Sequence, residues 1–283
     1  MSSTPRISVV TPSFNQVAFI RDTLRSVLDQ GYPELDYVVV DGGSTDGSAD
    51  VIREYQDQLA WWVSEPDRGH PDAINKGFAH TSGEIMCWIN SSDAYYPWTL
   101  ATVAEIFAGL PQVEWIMGVP SELGLAGGPK KVAPAYFNIY DILAGRYRWI
   151  QQESVFWRRS LWERAGGKLD ESKLRVADFD LWLRFLRLSP LYHVETVLGA
   201  FRNHDDRLGD QADGRYESEA AALLPEFAAS FDDRTRRRGR LVRTVARDRR
   251  KLIGQTLHAA GAWPWYRHPR IGFDFALDRW VVR

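Results

Sequence analysis

The sequence predicts an α/β fold, a mostly parallel sheet flanked by helices, followed by a helical C-terminal extension. Three observations carry this. Short apolar runs alternate with helical periodicity through the first 120 residues, the pattern of a parallel sheet with helices on both faces. A polar cluster follows each of the first four runs, where ligands of open α/β sheets gather. After about Leu208 the composition turns first acidic and alanine-rich, then densely basic, with apolar residues at helical intervals.

Ile7–Thr11 is a β-branched run that reads as a strand buried on both faces. Ala18–Gln30 spaces Phe19, Ile20, Leu24, Val27 and Leu28 as a helix does, and Gly31 and Pro33 end it. Tyr37–Val40 is the second strand. Gly42 and Gly43 then turn the chain, and Ser44 or Asp46 caps a helix carrying Val51, Ile52 and Tyr55. Leu59–Val63 predicts a strand, Asp72–Ala79 a helix, Ile85–Ile89 a strand, Pro97–Leu110 a helix and Trp115–Val119 a fifth strand. Beyond these, Gly124–Ile150 reads as loop with a short helix near Ile139–Leu143. Glu153–Trp157 predicts a strand, Ser160–Ala165 a helix, Asp178–Leu188 an amphipathic helix, and Leu191–Val194 and Thr196–Phe201 two strands. Arg215–Phe231 and Arg234–Lys251 read as helices, and Trp263 to Arg283 as an aromatic and basic end.

Composition narrows the function. At 283 residues the chain is one large domain, or one domain with an appendage. The net charge of −2 argues against a nucleic-acid binder. The single cysteine, Cys87, excludes an internal disulfide, fits a reducing compartment and sits in an apolar run as a buried structural thiol. Met1 to Arg6 is polar and leads directly into a strand, so no signal peptide is expected, and no apolar run approaches the roughly 20 residues of a membrane span. Twelve tryptophans suit sugar binding, but rings of this size serve the core in most proteins.

The polar clusters are Thr11-Pro12-Ser13-Phe14-Asn15, Asp41-Gly42-Gly43-Ser44-Thr45-Asp46-Gly47, Ser64-Glu65-Pro66-Asp67-Arg68-Gly69 and Asn90-Ser91-Ser92-Asp93. No Gly-x-Gly-x-x-Gly turn follows the first strand and no P-loop is present, which weighs against a dinucleotide-binding dehydrogenase. In this order, and with Asp72-Ala73-Ile74-Asn75-Lys76-Gly77, the clusters resemble the nucleotide-sugar-binding domain of glycosyltransferase family 2 over roughly the first 205 residues.

The resemblance implies a GT-A fold, Rossmann-like in its nucleotide-binding part. It divides the chain into a catalytic domain, 1–208, and an extension, 209–283. Within the first, 1–120 binds the donor and 121–208 faces the acceptor. Asp41 would accept a hydrogen bond from the base. Thr11, Pro12, Phe14, Asn15, Gly43, Ser44, Asp67, Asp72 and Ser92 would line the nucleotide-sugar site. Asp93 would hold Mg2+ or Mn2+ against the diphosphate, although Ser92 replaces the acid usual beside it. His204 matches a metal- or phosphate-contacting histidine of related enzymes. Asp178 matches the catalytic base, with Ala177 where a glutamate is usual, and the helix dipole would lower its pKa. Gln152 and Glu153 fall near the acceptor site. Trp182 is counted with them, although its apolar helix face suits core packing better.

The expected activity is inverting transfer of a sugar from a nucleotide diphosphate-sugar to an acceptor hydroxyl of a glycan or lipid-linked glycan. The expected setting is bacterial cell-surface polysaccharide or glycoconjugate synthesis, in the cytoplasm and at the inner face of the membrane. The basic residues within 234–283 read as a solvated charged face, as a peripheral membrane contact or as an oligomer contact. The two missing acids keep open a non-catalytic nucleotide-sugar-binding scaffold, and the shared α/β layout keeps open a nucleotidyltransferase.

Overall fold

The computed structural model describes residues 4–125, 127–146, 150–203, 215–247 and 263–283. The chain begins with four strands, β1 (Ile7–Ser13), β2 (Leu35–Asp41), β3 (Trp61–Ser64) and β4 (Ile85–Trp88), alternating with α1 (Ile20–Leu28), α2 (Ser48–Arg53) and α3 (His70–Ala79). These strands are parallel, with β1 between β2 and β4. Their register brings Ser13, Asp41 and Ser64 level at the carboxyl edge of the sheet. The chain reverses direction across the sheet between β1 and β4, which opens the crevice where α/β folds bind ligands.

The short β5 (Ala94–Tyr95) leaves this sheet, α4 (Thr99–Gly109) covers it, and β6 (Trp115–Met117) rejoins it. A second, four-stranded sheet forms from β5, β7 (Ser121–Leu123), β8 (Pro129–Val132) and β11 (Gly199–Arg202). It includes part of the region expected to be loop. The helix expected near Ile139–Leu143 is α5, with those bounds, and Asn138 caps it.

The strand expected from Glu153 starts later, as β9 (Val155–Arg158), after a single 3-10 turn at Gln152–Ser154. It runs antiparallel between β4 and β6. After α6 (Arg159–Arg164) and α7 (Ala177–Leu188), β10 (Tyr192–Val194) pairs parallel with β6. The extension is helical through α8 (Arg215–Ala229) and α9 (Asp233–Arg247). Its end departs from a helical reading. β12 (Arg270–Asp274) and β13 (Arg279–Val282) form a hairpin that extends the main sheet to nine strands, in the order β13-β12-β10-β6-β9-β4-β1-β2-β3. Ile271 is buried in that junction, and Trp280 donates its Nε1 hydrogen to Glu105 on α4 at 3.0 Å.

Four tryptophans fill the layer beneath the crevice. Trp88, Trp115, Trp157 and Trp182 are all buried, and the ring of Trp182 lies parallel to that of Trp88 at 5.6 Å. This packing accounts for part of the tryptophan content.

Candidate active site

At the donor end, Asp41 is fully buried where β2 ends. One carboxylate oxygen accepts from the Ser44 amide (2.9 Å) and the Ser64 hydroxyl (2.7 Å), and the other from the Ser44 hydroxyl (2.5 Å). Asp41 thus ties the loops after β2 and β3 together, with Oδ1 holding one of its three hydrogen bonds and Oδ2 two. The Ser44 hydroxyl also accepts from the Asn15 amide at 2.8 Å, and Asn15 accepts through Oδ1 from the Thr45 amide at 2.9 Å. Asn15 adopts φ 51°, a left-handed turn that asparagine tolerates, and Gly43 turns likewise at φ +79°.

Thr11 and Pro12 are buried within β1, and Thr11 shares a hydrogen bond with the Tyr37 hydroxyl at 2.9 Å. They form the floor of the crevice rather than its lining. Phe14 is the opposite, a large ring left 60% exposed directly after the strand. Gly42 lets it approach Asp67: a Cβ there would stand 2.8 Å from Asp67 Oδ2 and 3.3 Å from the Phe14 ring. Asp67 itself accepts from the Gly69 amide at 2.8 Å. Asp72, at the start of α3, accepts from Arg68 through both the amide (3.0 Å) and the guanidinium (2.6 Å), which lowers its pKa.

Asp93 follows β4 and is 1% exposed. Its Oδ1 accepts from the Arg202 amide at 2.9 Å and its Oδ2 from Asn90 Nδ2 at 3.3 Å. Asn90 Oδ1 in turn accepts from His70 Nε2 at 2.7 Å, and burial lowers the pKa of that imidazole. The Arg202 guanidinium is buried behind them, donating to the carbonyl of Ser92 (2.8 Å) and pairing with Asp22 (3.2 Å). The side chain of Ser92 is half-buried. His204 lies outside the described residues.

At the acceptor end, Gln152 and Glu153 are buried in the turn before β9. Gln152 donates to the carbonyl of Trp88, and Gln151 donates to Glu153. Burial, then the nearby charge of Asp93, holds the Glu153 pKa well above the usual range, and Asp178 adds to this. Glu153 thus sits within electrostatic reach of both the donor-side and the acceptor-side aspartates. The segment before α7 lies against the loop after β3, where Arg68 pairs with Glu171 at 2.8 Å. This brings Asp178, the second residue of α7, to the crevice. Asp178 is half-buried, and its Oδ1 accepts from the Phe179 amide at 2.7 Å. Burial raises its pKa from 3.8 to about 6. The helix-dipole expectation has the wrong sign here, because desolvation outweighs the backbone hydrogen bonds. Asp180 points elsewhere, to Lys173 (2.9 Å) and Arg184 (3.0 Å). Trp182 is 1% exposed within the tryptophan layer, so its ring is not presented to a sugar.

Residues 8–113 match the sequence model of the family described as Glycosyl transferase family 2. The match covers less than half of the chain, so the likeness to glycosyltransferase family 2 belongs to this N-terminal segment. An uncharacterized glycosyltransferase of Mycobacterium tuberculosis is 32% identical over 169 residues, 59% of this chain and 64% of that protein. The match thus spans just under two thirds of that relative's length. The probable glycosyltransferase YdaM of Bacillus subtilis is 26% identical over 213 residues, 69% of this chain and 49% of its own. Among solved structures, residues 1–349 of Staphylococcus aureus TarS in complex with UDP-GlcNAc align with TM-score 0.63 and 16% identity, covering 80% of this chain and 67% of that one. The mannosyltransferase PcManGT of Pyrobaculum calidifontis, in complex with GDP-Man and Mn2+, aligns with TM-score 0.55 and 19% identity, covering 93% and 76%. These likenesses show a GT-A-like fold.

The donor set for a divalent cation is thin among the described residues. Among the described residues no three His, Cys, Asp or Glu side chains converge as a metal site. Asp93 is buried with both oxygens accepting hydrogen bonds, and Ser92 supplies only a hydroxyl. As arranged, these side chains do not fit a protein-built cation cage.

Sequence reasoning missed several residues that hold the candidate site. His70 and Asn90 act together on Asp93 across two loops, and no local pattern signals such a pair. Arg202 stood beside a noted histidine, but its burial depends on β11 reaching the second sheet. Ser13 Oγ is buried at the crevice with no hydrogen-bond partner, next to the exposed Phe14.

Proposed function

We propose that the chain is an inverting glycosyltransferase that moves a sugar from a nucleotide diphosphate-sugar to an acceptor hydroxyl. We place that acceptor on a glycan or lipid-linked glycan of bacterial cell-surface polysaccharide or glycoconjugate synthesis, handled in the cytoplasm at the inner face of the membrane. The observation that carries the reading is Asp178, a carboxylate raised to about 6 beside the crevice. A general base works best with a pKa near the working pH, and a scaffold has no need of one.

In this reading the base of the nucleotide stacks on Phe14, and Asp41 acts through the loops it holds rather than by direct contact. Asn15, Gly43, Ser44, Asp67 and Asp72 shape the rest of the donor site. Asp178 takes the proton of the acceptor hydroxyl as its oxygen bonds to the anomeric carbon. The bond to the diphosphate breaks on the opposite face, the configuration inverts, and the nucleoside diphosphate leaves. Burial and the charge of Asp93 disfavour ionisation of Glu153, which would limit negative charge beside this path. The thin donor set assigns any Mg2+ or Mn2+ to the diphosphate more than to the protein.

The test is a panel of nucleotide sugars, each with Mg2+, with Mn2+ and with EDTA, read by nucleoside diphosphate release. Release with one donor, and a product of inverted anomeric configuration, is the expected result. Donor binding without release under any condition would indicate a scaffold, and pyrophosphate release a nucleotidyltransferase.

A further inference from the structure

Two features of the C-terminal extension have no part in the site. The first is the tip of the β12–β13 hairpin. Phe275 is 89% exposed and Leu277 55%, on either side of Ala276. Asp274 Oδ1 accepts from the amides of Ala276 (2.9 Å) and Leu277 (3.1 Å), so the Asp274 carboxylate fixes the turn while Phe275 and Leu277 stay exposed. The second is the outer face of α9. Val242 and Gly239 are buried, and Val242 packs in a small cluster with Tyr140, Trp263 and Tyr266. Arg234, Arg237, Arg240 and Arg243 are exposed, and among the described residues none of the four is in an ion pair. Steps of three residues spread them over about half the helix circumference.

Gly239 and Val242 of the basic helix are thus covered by the fold, and two of the terminal tryptophans pack beside them. What remains exposed on α9 is mostly charge, with Leu241 among the arginines, and the larger apolar wedge lies on the hairpin. The hairpin also has a defined place. β12 is parallel to β10 and β10 to β6, while β6 and β4 both run antiparallel to β9. β12 therefore runs in the sense of β4 and β1. The tip leaves the sheet from the edge on which the donor-site clusters stand.

We propose that the extension docks the chain on an anionic lipid bilayer, with Phe275 and Leu277 in the interfacial layer and the α9 arginines on lipid phosphates. Charge complementarity favours this occupant. A second copy fits worse. A two-fold contact through α9 would set arginines against arginines, and a two-residue tip falls far short of the roughly 800 Å2 that each partner buries in a stable pair. The use of such docking, access to a lipid-borne acceptor, rests on the proposed activity, but the docking is testable without turnover. Failure to bind lipid leaves the transfer reading standing, and failure of transfer leaves the binding result standing.

The experiment is cosedimentation of the full chain with phosphatidylcholine vesicles, with and without phosphatidylglycerol, over a series of NaCl concentrations. Binding should need phosphatidylglycerol and weaken as salt rises. The variant Phe275→Ser/Leu277→Ser should bind about tenfold more weakly or worse. Arg237→Glu/Arg240→Glu should abolish the preference for anionic lipid. Both variants change exposed side chains and should keep the wild-type circular dichroism and unfolding temperature. Equal binding to uncharged vesicles, or unchanged binding by the tip variant, overturns the proposal. So does a dimer in sedimentation velocity that the tip variant dissociates.

Discussion

The two ends of the site hold their carboxylates in opposite ways. At the donor end each buried acid is met by donors: Asp41 by two serines and Asp72 by Arg68. At Asp72 these donors lower the pKa, and the acids act as struts between loops. At the acceptor end Glu153 and Asp178 are desolvated with few donors, and burial raises both pKa values. The first arrangement secures shape, while the second sacrifices stability to make a base. One sheet edge thus carries a stable half and a strained half.

Four substitutions test that contrast, beginning with the layer that supports both halves. Trp182→Ala should destabilise the fold by about 3–5 kcal/mol, as large core truncations do, and thermal unfolding would register it. Reduced acceptor affinity at unchanged stability would instead put the ring on the sugar. At the donor end, Asp41→Ala strips three hydrogen bonds from a buried carboxylate and should cost about 3 kcal/mol, with nucleotide affinity falling as the loops loosen. A variant as stable as the wild type would show that Asp41 is no strut.

At the acceptor end the sign reverses. The Asp178 carboxyl titrates near 6 in the fold against an ordinary 3.8. Between those values the folded chain keeps a proton that the unfolded chain has lost, so stability falls as pH rises through the window. Asp178→Asn removes that penalty and should raise stability at pH 7 by about 1–2 kcal/mol, with no gain at pH 3. A loss of stability at pH 7 would remove the strained half of the comparison. The smallest effect belongs to Arg68→Ala. Its ion pairs with Asp72 and Glu171 are made by a largely exposed guanidinium, so unfolding should shift by no more than about 1 kcal/mol.

The donor half was legible because its signals are local. Each strand and its polar end are contiguous in sequence, so the runs at Ile7–Thr11, Tyr37–Val40 and Ile85–Ile89 fell on β1, β2 and β4. The acceptor half depends on distant partners. That β9 would insert antiparallel between β4 and β6 is not written in Glu153–Trp157. The β12–β13 hairpin was hidden by arginines and aromatics that read as a membrane-facing tail. The Asp178 pKa was misjudged because the dipole is visible from sequence and burial is not. Trp182 illustrates the converse, since its helical periodicity correctly favoured the core over a sugar.

The central claim is that the crevice joins a donor site to a working base, and nucleoside diphosphate release by wild type and Asp178→Asn on the same donor tests it most directly. The account predicts a wild-type rate that rises with pH through about 6. It predicts a loss of about 10²–10⁴-fold in Asp178→Asn, with donor affinity unchanged. A variant that turns over like the wild type, or that loses donor binding along with rate, would contradict it.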